Sequence, residues 1–174
     1  GFYRPFGRYA EEISAPWYVQ GAAAFMTEPR DEPWFIQIGF EEPHSPFWFP
    51  VEYAGQYRPQ DMKVPSPGPG DAGGIPKIFV DLTHADKQGI KASYYTSVAW
   101  LDENIGRALA ALDALGLADN TLVIYLGDNG YHLGEHGRFE KHTLYERCVR
   151  VPFIVRHPEQ VPAGQASQAL VEMV

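Results

Sequence analysis

The sequence predicts an α/β fold, with a mostly parallel sheet flanked by helices, on three observations. Apolar runs of strand length, "WFIQIGF" (Trp34 to Phe40), "TLVIYLGD" (Thr121 to Asp128) and "VPFIVRHP" (Val151 to Pro158), are spread along the chain. A long amphipathic helical pattern separates the first two. The polar clusters "EEPHSPF" and "GDNGYHLGEH" follow the first two runs, at the carboxyl ends where open α/β sheets hold ligands.

Each element follows from its residues. Ala15 to Phe25 reads as a helix opened by Pro16, and "EPRDEP" breaks it. Trp34 to Phe40 is nearly continuous in apolar residues, as expected of a strand buried on both faces. From Glu41 to Gly74 the chain becomes rich in Pro and Gly, in "EEPHSPFWFP" and "VPSPGPGDAGG". Irregular loops of that length in compact domains are usually functional or disordered. Tyr94, Val98, Leu101, Ile105, Leu109 and Leu112 then recur at spacings of three and four, one apolar stripe over about five turns. Thr83 with Asp86 can cap the start of that helix, Gly116 can stop it, and Asp102 at the edge of the stripe is expected to make a structural hydrogen bond. "ADNT" turns the chain into a second buried strand, and Pro158 closes a third.

Composition narrows the function. The 174 residues are 45% hydrophobic and 14% aromatic, ample for a core. A formal charge of -8 argues against a nucleic-acid partner, whose phosphates call for clustered Lys and Arg, and leaves room for a bound cation. No apolar stretch reaches the roughly 18 to 20 residues of a membrane span. The one cysteine, Cys148, excludes an internal disulfide and is expected as a small buried hydrophobe. "GFYRPFGRYA" has no initiator Met or apolar leader, and "QALVEMV" stops in what reads as a helix opening; the chain is expected to be the central part of something larger.

The chemistry-bearing residues each admit a plain alternative. Asp128 and Asn129, side by side at a strand's end, offer hard oxygen donors for Ca²⁺ or Mg²⁺, yet Asp-Asn-Gly is equally a turn sequence. "HLGEH" (His132 to His136) matches H-x-x-E-H, which binds zinc when a helix puts both His on one face. Gly130, Gly134 and Gly137 each cost roughly 1 kcal/mol in a helix and argue for a loop. Lys141 in "FEKHTLYE" reads by composition as a surface charge. His44 lies between Pro43 and Pro46 in a loop after a strand, where the stiff backbone would hold its imidazole in one place. His84, His142 and His157 carry no signal.

Together these residues resemble a known family. "SYYTSVAWLDENIGRALAALDALGLADNTLVIYLGDNGYHLGEHGRFEKHTLYERCVRVPFIV" (Ser93 to Val155) is similar to the sulfatases of the alkaline-phosphatase superfamily, most nearly the iduronate sulfatase-like branch, and the likeness extends in outline from Trp34. The resemblance implies an alkaline phosphatase-like fold, of which residues 1–174 are the central part of a single catalytic domain with a loop excursion at about 41–76. It implies that Asp128 and Asn129 ligate a metal, usually Ca²⁺ with Mg²⁺ as the alternative. Lys141 would contact the sulfate and the leaving-group oxygen, and His44, in "PHSPF", would also reach the sulfate. Glu135 and His136 belong to a "LGEHG" signature that shapes the loop.

The resemblance implies hydrolysis of a sulfate ester, of a small molecule or glycan, in a periplasmic, secreted or lysosome-like compartment. A fixed cation, Lys⁺ and an imidazole would stabilise charge on the departing oxygen. The family's formylglycine arises from a C/S-x-P-x-R motif, which no segment here matches; "CVRVP" and "SAPWY" both fail it. The formylglycine is therefore expected N-terminal to this chain. Two alternatives stay open: a phosphate or phosphonate ester hydrolase of the same superfamily, and a non-catalytic binding relative.

Overall fold

The computed structural model describes every residue except Gly1, Phe2, Arg4, Phe6, Met173 and Val174. Helix α1 spans Ser14–Thr27, with Pro16 in its first turn, where its missing N–H has no partner to lose. The one-turn α2 spans Lys77–Val80, and α3 runs over His84–Ala114. Strand β1 (Val123–Leu126), the one-turn α4 (Glu146–Val149) and strand β2 (Phe153–Arg156) follow.

Helix α3 is set by its ends. The Thr83 hydroxyl accepts from the Asp86 amide at 3.1 Å while the Asp86 carboxylate takes the Thr83 amide at 3.1 Å, a reciprocal cap that contributes about 1 kcal/mol. At the other end Gly116 turns the chain at φ 68°. The face α3 buries deepest is not the apolar stripe. Ser93, Thr96, Ser97, Trp100 and Asn104 are at most 1% exposed, whereas Val98 and Leu109 of the stripe are each 37% exposed. Two of these polar side chains turn back on their own helix: Thr96 Oγ1 donates to the Ala92 carbonyl and Asn104 Nδ2 to that of Trp100, each at 2.8 Å. Helix α1, with its small Ala15 and Ala22 buried, packs against α3. Asp102 is exposed and has no hydrogen bond among the described residues, so the structural bond expected of it is absent there.

Two hydrophobic clusters hang on α3. Trp100 packs with Ile13, Ala15 and Phe49, and further toward the N-terminus Ile90 packs with Phe47 and Phe139. Phe47 and Phe49 thus anchor the Pro/Gly excursion, which is docked and not free. Gln88 Nε2 and Lys91 Nζ on α3 donate to the carbonyls of Met62 and Lys63 at 3.1 and 2.9 Å.

The sheet differs from the expectation of mostly parallel strands. Among the described residues it has two strands, β1 and β2, and they pair antiparallel with Tyr125 opposite Ile154. The segment from Trp34 to Phe40 joins no ladder; it is irregular, with half-buried and exposed residues alternating. Nor is β1 buried on both faces, since Ile124 is 51% exposed. Two of the three apolar runs form strands and Trp34 to Phe40 does not, because which neighbours a run pairs with is not written in the run itself. At the C-terminal end, residues 168–172 are not helical, and the rest of the helix opening expected there lies outside the described residues.

Candidate active site

The chain leaves β1 through Gly127 and reaches Asp128 and Asn129. The Asn129 amide donates to Asp128 Oδ1 at 2.9 Å, a bond to the adjacent residue that occupies one carboxylate oxygen. The other has no hydrogen bond among the described residues. Asp128 is exposed and Asn129 half-buried. The next residue is pinned by a close backbone crossing: the Gly130 amide donates to the Cys148 carbonyl at 2.8 Å, and a Cβ at Gly130 would lie 2.0 Å from the Arg147 carbonyl oxygen. Only glycine fits there.

From Tyr131 the segment is a loop. The Gly134 to Gly137 turn places Gly134, His136 and Gly137 at positive φ, and within its single 3-10 turn, Glu135–Gly137, His136 at φ 55°, ψ 22° has left-handed dihedrals that no α-helix adopts. The zinc-protease reading of "HLGEH" requires a helix at this point and is thereby removed. Its two His serve separate ends. His136 Nδ1 stands 2.9 Å from Asp71 Oδ1, and the His136 bond is the first cause, ahead of the Gly68 amide, holding the Asp71 carboxyl below its ordinary value. His132 is fully buried, and burial lowers its pKa.

The loop then folds back so that its two arms bond. The His132 amide donates to the Glu140 carbonyl at 2.9 Å, and the Gly134 amide to that of Arg138 at 3.0 Å. This brings Lys141, half-buried, level with the start of the loop. Tyr131, whose hydroxyl donates to the Phe139 carbonyl at 2.7 Å, has its phenol pushed up to about 12, chiefly by burial.

The His44 turn docks on the same wall. The Phe47 amide donates to the His44 carbonyl at 2.9 Å, and the Phe47 ring meets Tyr131 edge-on with centroids 5.4 Å apart. His44 itself is exposed, and its Nδ1 lies 2.7 Å from the Ser45 carbonyl oxygen. A carbonyl only accepts, so Nδ1 carries hydrogen and Nε2 is the nitrogen left for other partners.

Backbone bonds set the Lys141 arm of the loop beside the segment at Asn129 to His132, and the Phe47 ring brings the His44 turn against Tyr131. An open cleft of about 590 Å³ lies beside them, lined by Tyr94, Asn129, Gly130, Tyr131, Glu146, Arg147, Arg150 and Pro152. Of the four candidates, Asn129 alone is on its wall. No group of three or more His, Cys, Asp or Glu side chains is arranged to hold a metal among the described residues. Asp128 and Asn129 suit a hard cation by donor type, and would supply two of the roughly six to eight oxygens Ca²⁺ takes.

Sequence reasoning missed Asp71, Thr143 and the cleft arginines. Asp71 carried a signal, being the one charged residue in "VPSPGPGDAGG". Cys148 is buried as expected, 4% exposed.

The chain is 47% identical to an N-acetylglucosamine-6-O-sulfatase of Bacteroides thetaiotaomicron over 77 residues, which is 44% of this chain and 14% of that protein. It is 30% identical to human iduronate 2-sulfatase over 148 residues, 72% of this chain and 27% of that one. Among solved structures, a phosphonate monoester hydrolase from Silicibacter pomeroyi superposes with a TM-score of 0.76 at 26% identity, covering 87% of this chain and 34% of that one. A structure solved in complex with its substrate D-glucosamine-2-N,6-O-disulfate shares the fold, with a TM-score of 0.70 at 20% identity over 87% of this chain and 44% of that one. The chain thus spans less than half the length of each of these relatives. With the sulfatase family model matching residues 6–174, the chain belongs to the sulfatase family.

Proposed function

We propose that this chain forms one wall of the catalytic site of a sulfatase that hydrolyses a sulfate ester of a sugar or glycan. The observation that carries the reading is the attachment of the His44 turn and the Lys141 arm of the loop to the segment at Asn129 to His132. These contacts between stretches distant in sequence support a shared site for the polar residues they carry. The likeness to glycan sulfatases in sequence supports the substrate class.

In this reading the Lys141 ammonium meets the anionic ester and opposes charge building on the departing oxygen. His44 acts through Nε2. Because Nδ1 is committed to Ser45, the ring can donate from Nε2 only as the imidazolium, and in that state it can hand a proton to the leaving oxygen. Asp128, through its uncommitted oxygen, and Asn129 would hold Ca²⁺, with Mg²⁺ as the alternative. When bound, the ion supplies fixed positive charge beside the transferring group. A formylglycine nucleophile would come from outside these 174 residues, as no C/S-x-P-x-R motif lies within them.

A second reading has its own support: the phosphonate monoester hydrolase shares both fold and 26% identity. The two separate on substrate. Full-length protein offered an aryl sulfate, a sulfated glucosamine and an aryl phosphonate monoester should turn over a sulfate at least 100-fold better than the phosphonate. The opposite order would replace the sulfatase reading, and no turnover of any ester would favour a non-catalytic relative.

A further inference from the structure

We propose that His132 and Thr143 are positioning residues that fix the backbone carrying Lys141, a proposal that rests on the catalytic reading of Lys141. Residues 138–145 have neither helix nor strand to hold them. A lysine swings its ammonium on a long flexible stem, so where that charge can reach depends on how firmly its own main chain is held. Here the holding is done by a closed set of contacts. The His132 amide donates to the Glu140 carbonyl and the Thr143 amide to that of Lys141, each at 2.9 Å. His132 Nε2 lies 2.9 Å from Thr143 Oγ1, which lies 3.2 Å from Cys148 Sγ, which lies 3.7 Å from the Glu140 carbonyl oxygen. Both residues flanking Lys141 in this path are thus tied to the base of the loop and to α4.

The protons in this path can run only one way. The Glu140 carbonyl accepts, so the Cys148 thiol donates to it. The sulfur then receives the Thr143 hydroxyl hydrogen, and the Thr143 oxygen receives hydrogen from His132 Nε2. The imidazole is therefore the Nε2–H tautomer, with a bare Nδ1. Nδ1 is buried without a partner among the described residues, as a one-way chain ending on this ring requires. A buried imidazole with one nitrogen unused is costly as mere filler, since an apolar side chain would fill the space without an orphaned polar atom. Its use is the donor it presents to Thr143. Outer groups that orient a working side chain in this way are common at enzyme sites.

The test compares Thr143→Val, close in shape but without the hydroxyl, with Thr143→Ser, which keeps it, in the full-length protein acting on an aryl sulfate. Thr143→Val should lower kcat at least 10-fold with KM within twofold, and Thr143→Ser should recover kcat to within twofold. Nitrogen-15 spectra of the unsubstituted protein, labelled at histidine, should show His132 protonated at Nε2 and bare at Nδ1. Wild-type kcat in Thr143→Val, or a proton on Nδ1, would overturn the positioning role. Lys141→Ala separates the layers: inactive Lys141→Ala with fully active Thr143→Val sinks only the positioning role, whereas active Lys141→Ala sinks the catalytic reading and this proposal with it.

Discussion

The His136 imidazole lies against the Tyr145 ring, centroids 4.0 Å apart and planes 14° from parallel. The same imidazole faces Asp71, so the glycine-spaced loop carries a ring that touches both the Pro/Gly excursion, 65 residues away, and the stretch after Lys141. Steric contact reinforces the join. A Cβ at Gly137 would lie 2.5 Å from Ile75, and one at Gly134 would lie 3.0 Å from Val64. The excursion is thereby part of the wall that carries the candidate site.

Asp71→Asn should release that excursion. The amide keeps the shape but loses the charge that the His136 contact favours. Limited proteolysis should cut between residues 64 and 76 several-fold faster than in the parent chain. Acid should mimic the substitution. The folded Asp71 carboxyl sits below its ordinary value of 3.8, so its contribution is whole above that value and is lost as pH falls through the lower, folded one. Faster cleavage that begins near neutral pH would show that another group governs the join.

Gly130→Ala and Gly106→Ala should act in opposite directions. At Gly130 the new Cβ would meet backbone, which cannot rotate away, and the crossing would have to open at a cost of about 3 kcal/mol. Gly106 is exposed in the middle of α3 with nothing within 4 Å of an added Cβ, so alanine there should stabilise by about 0.5–1 kcal/mol. Chemical denaturation of the two variants measures both. A Gly130→Ala protein as stable as the parent would mean that β1 and α4 are not held at this crossing.

The buried His132 should make the protein less stable in mild acid. Burial lowers its folded pKa from 6.5, so the folded form refuses a proton that the unfolded chain accepts. Stability is then complete above about 6.5 and declines as pH falls below it, levelling only under the folded value. His132→Gln, whose amide can still donate to Thr143, should be less stable than the parent at neutral pH but should lose less between pH 7 and 5. An equal loss in both proteins would place the acid sensitivity elsewhere.

What the sequence made legible was local chemistry. The Thr83 and Asp86 cap, the Gly116 stop, the entry through Pro16 and the loop at Gly130 to Gly137 are properties of a few neighbouring residues, and all are as read. Pairing partners and burial depth are set by distant residues. That is why Trp34 to Phe40 has no ladder and why α3 buries Ser93, Thr96 and Asn104 more deeply than Leu109. Asp128 and Lys141 are candidates through family resemblance alone, because a lone Asp-Asn pair and a lone Lys have no distinctive spacing. Thr143 was unreadable for a different reason: its role lies in a hydroxyl poised between His132 and Cys148, which only folding brings together.

Asp128 and Cys148 lie at the two ends of the same loop and should respond very differently to substitution. Asp128→Asn keeps the size of the side chain but removes the charge offered to a cation, so full-length protein should lose turnover at least 100-fold, about 3 kcal/mol of transition-state stabilisation. Calcium affinity measured by calorimetry should fall with it. Cys148→Ala removes one buried sulfur and one of several ties on the Lys141 segment, leaving the His132 to Thr143 contact in place. It should cost about 1–2 kcal/mol of stability and leave turnover within about threefold. Lost turnover in folded Cys148→Ala would give the thiol a direct part in the chemistry. Unchanged turnover and calcium affinity in Asp128→Asn would leave the Asp128 and Asn129 pair as a turn and nothing more.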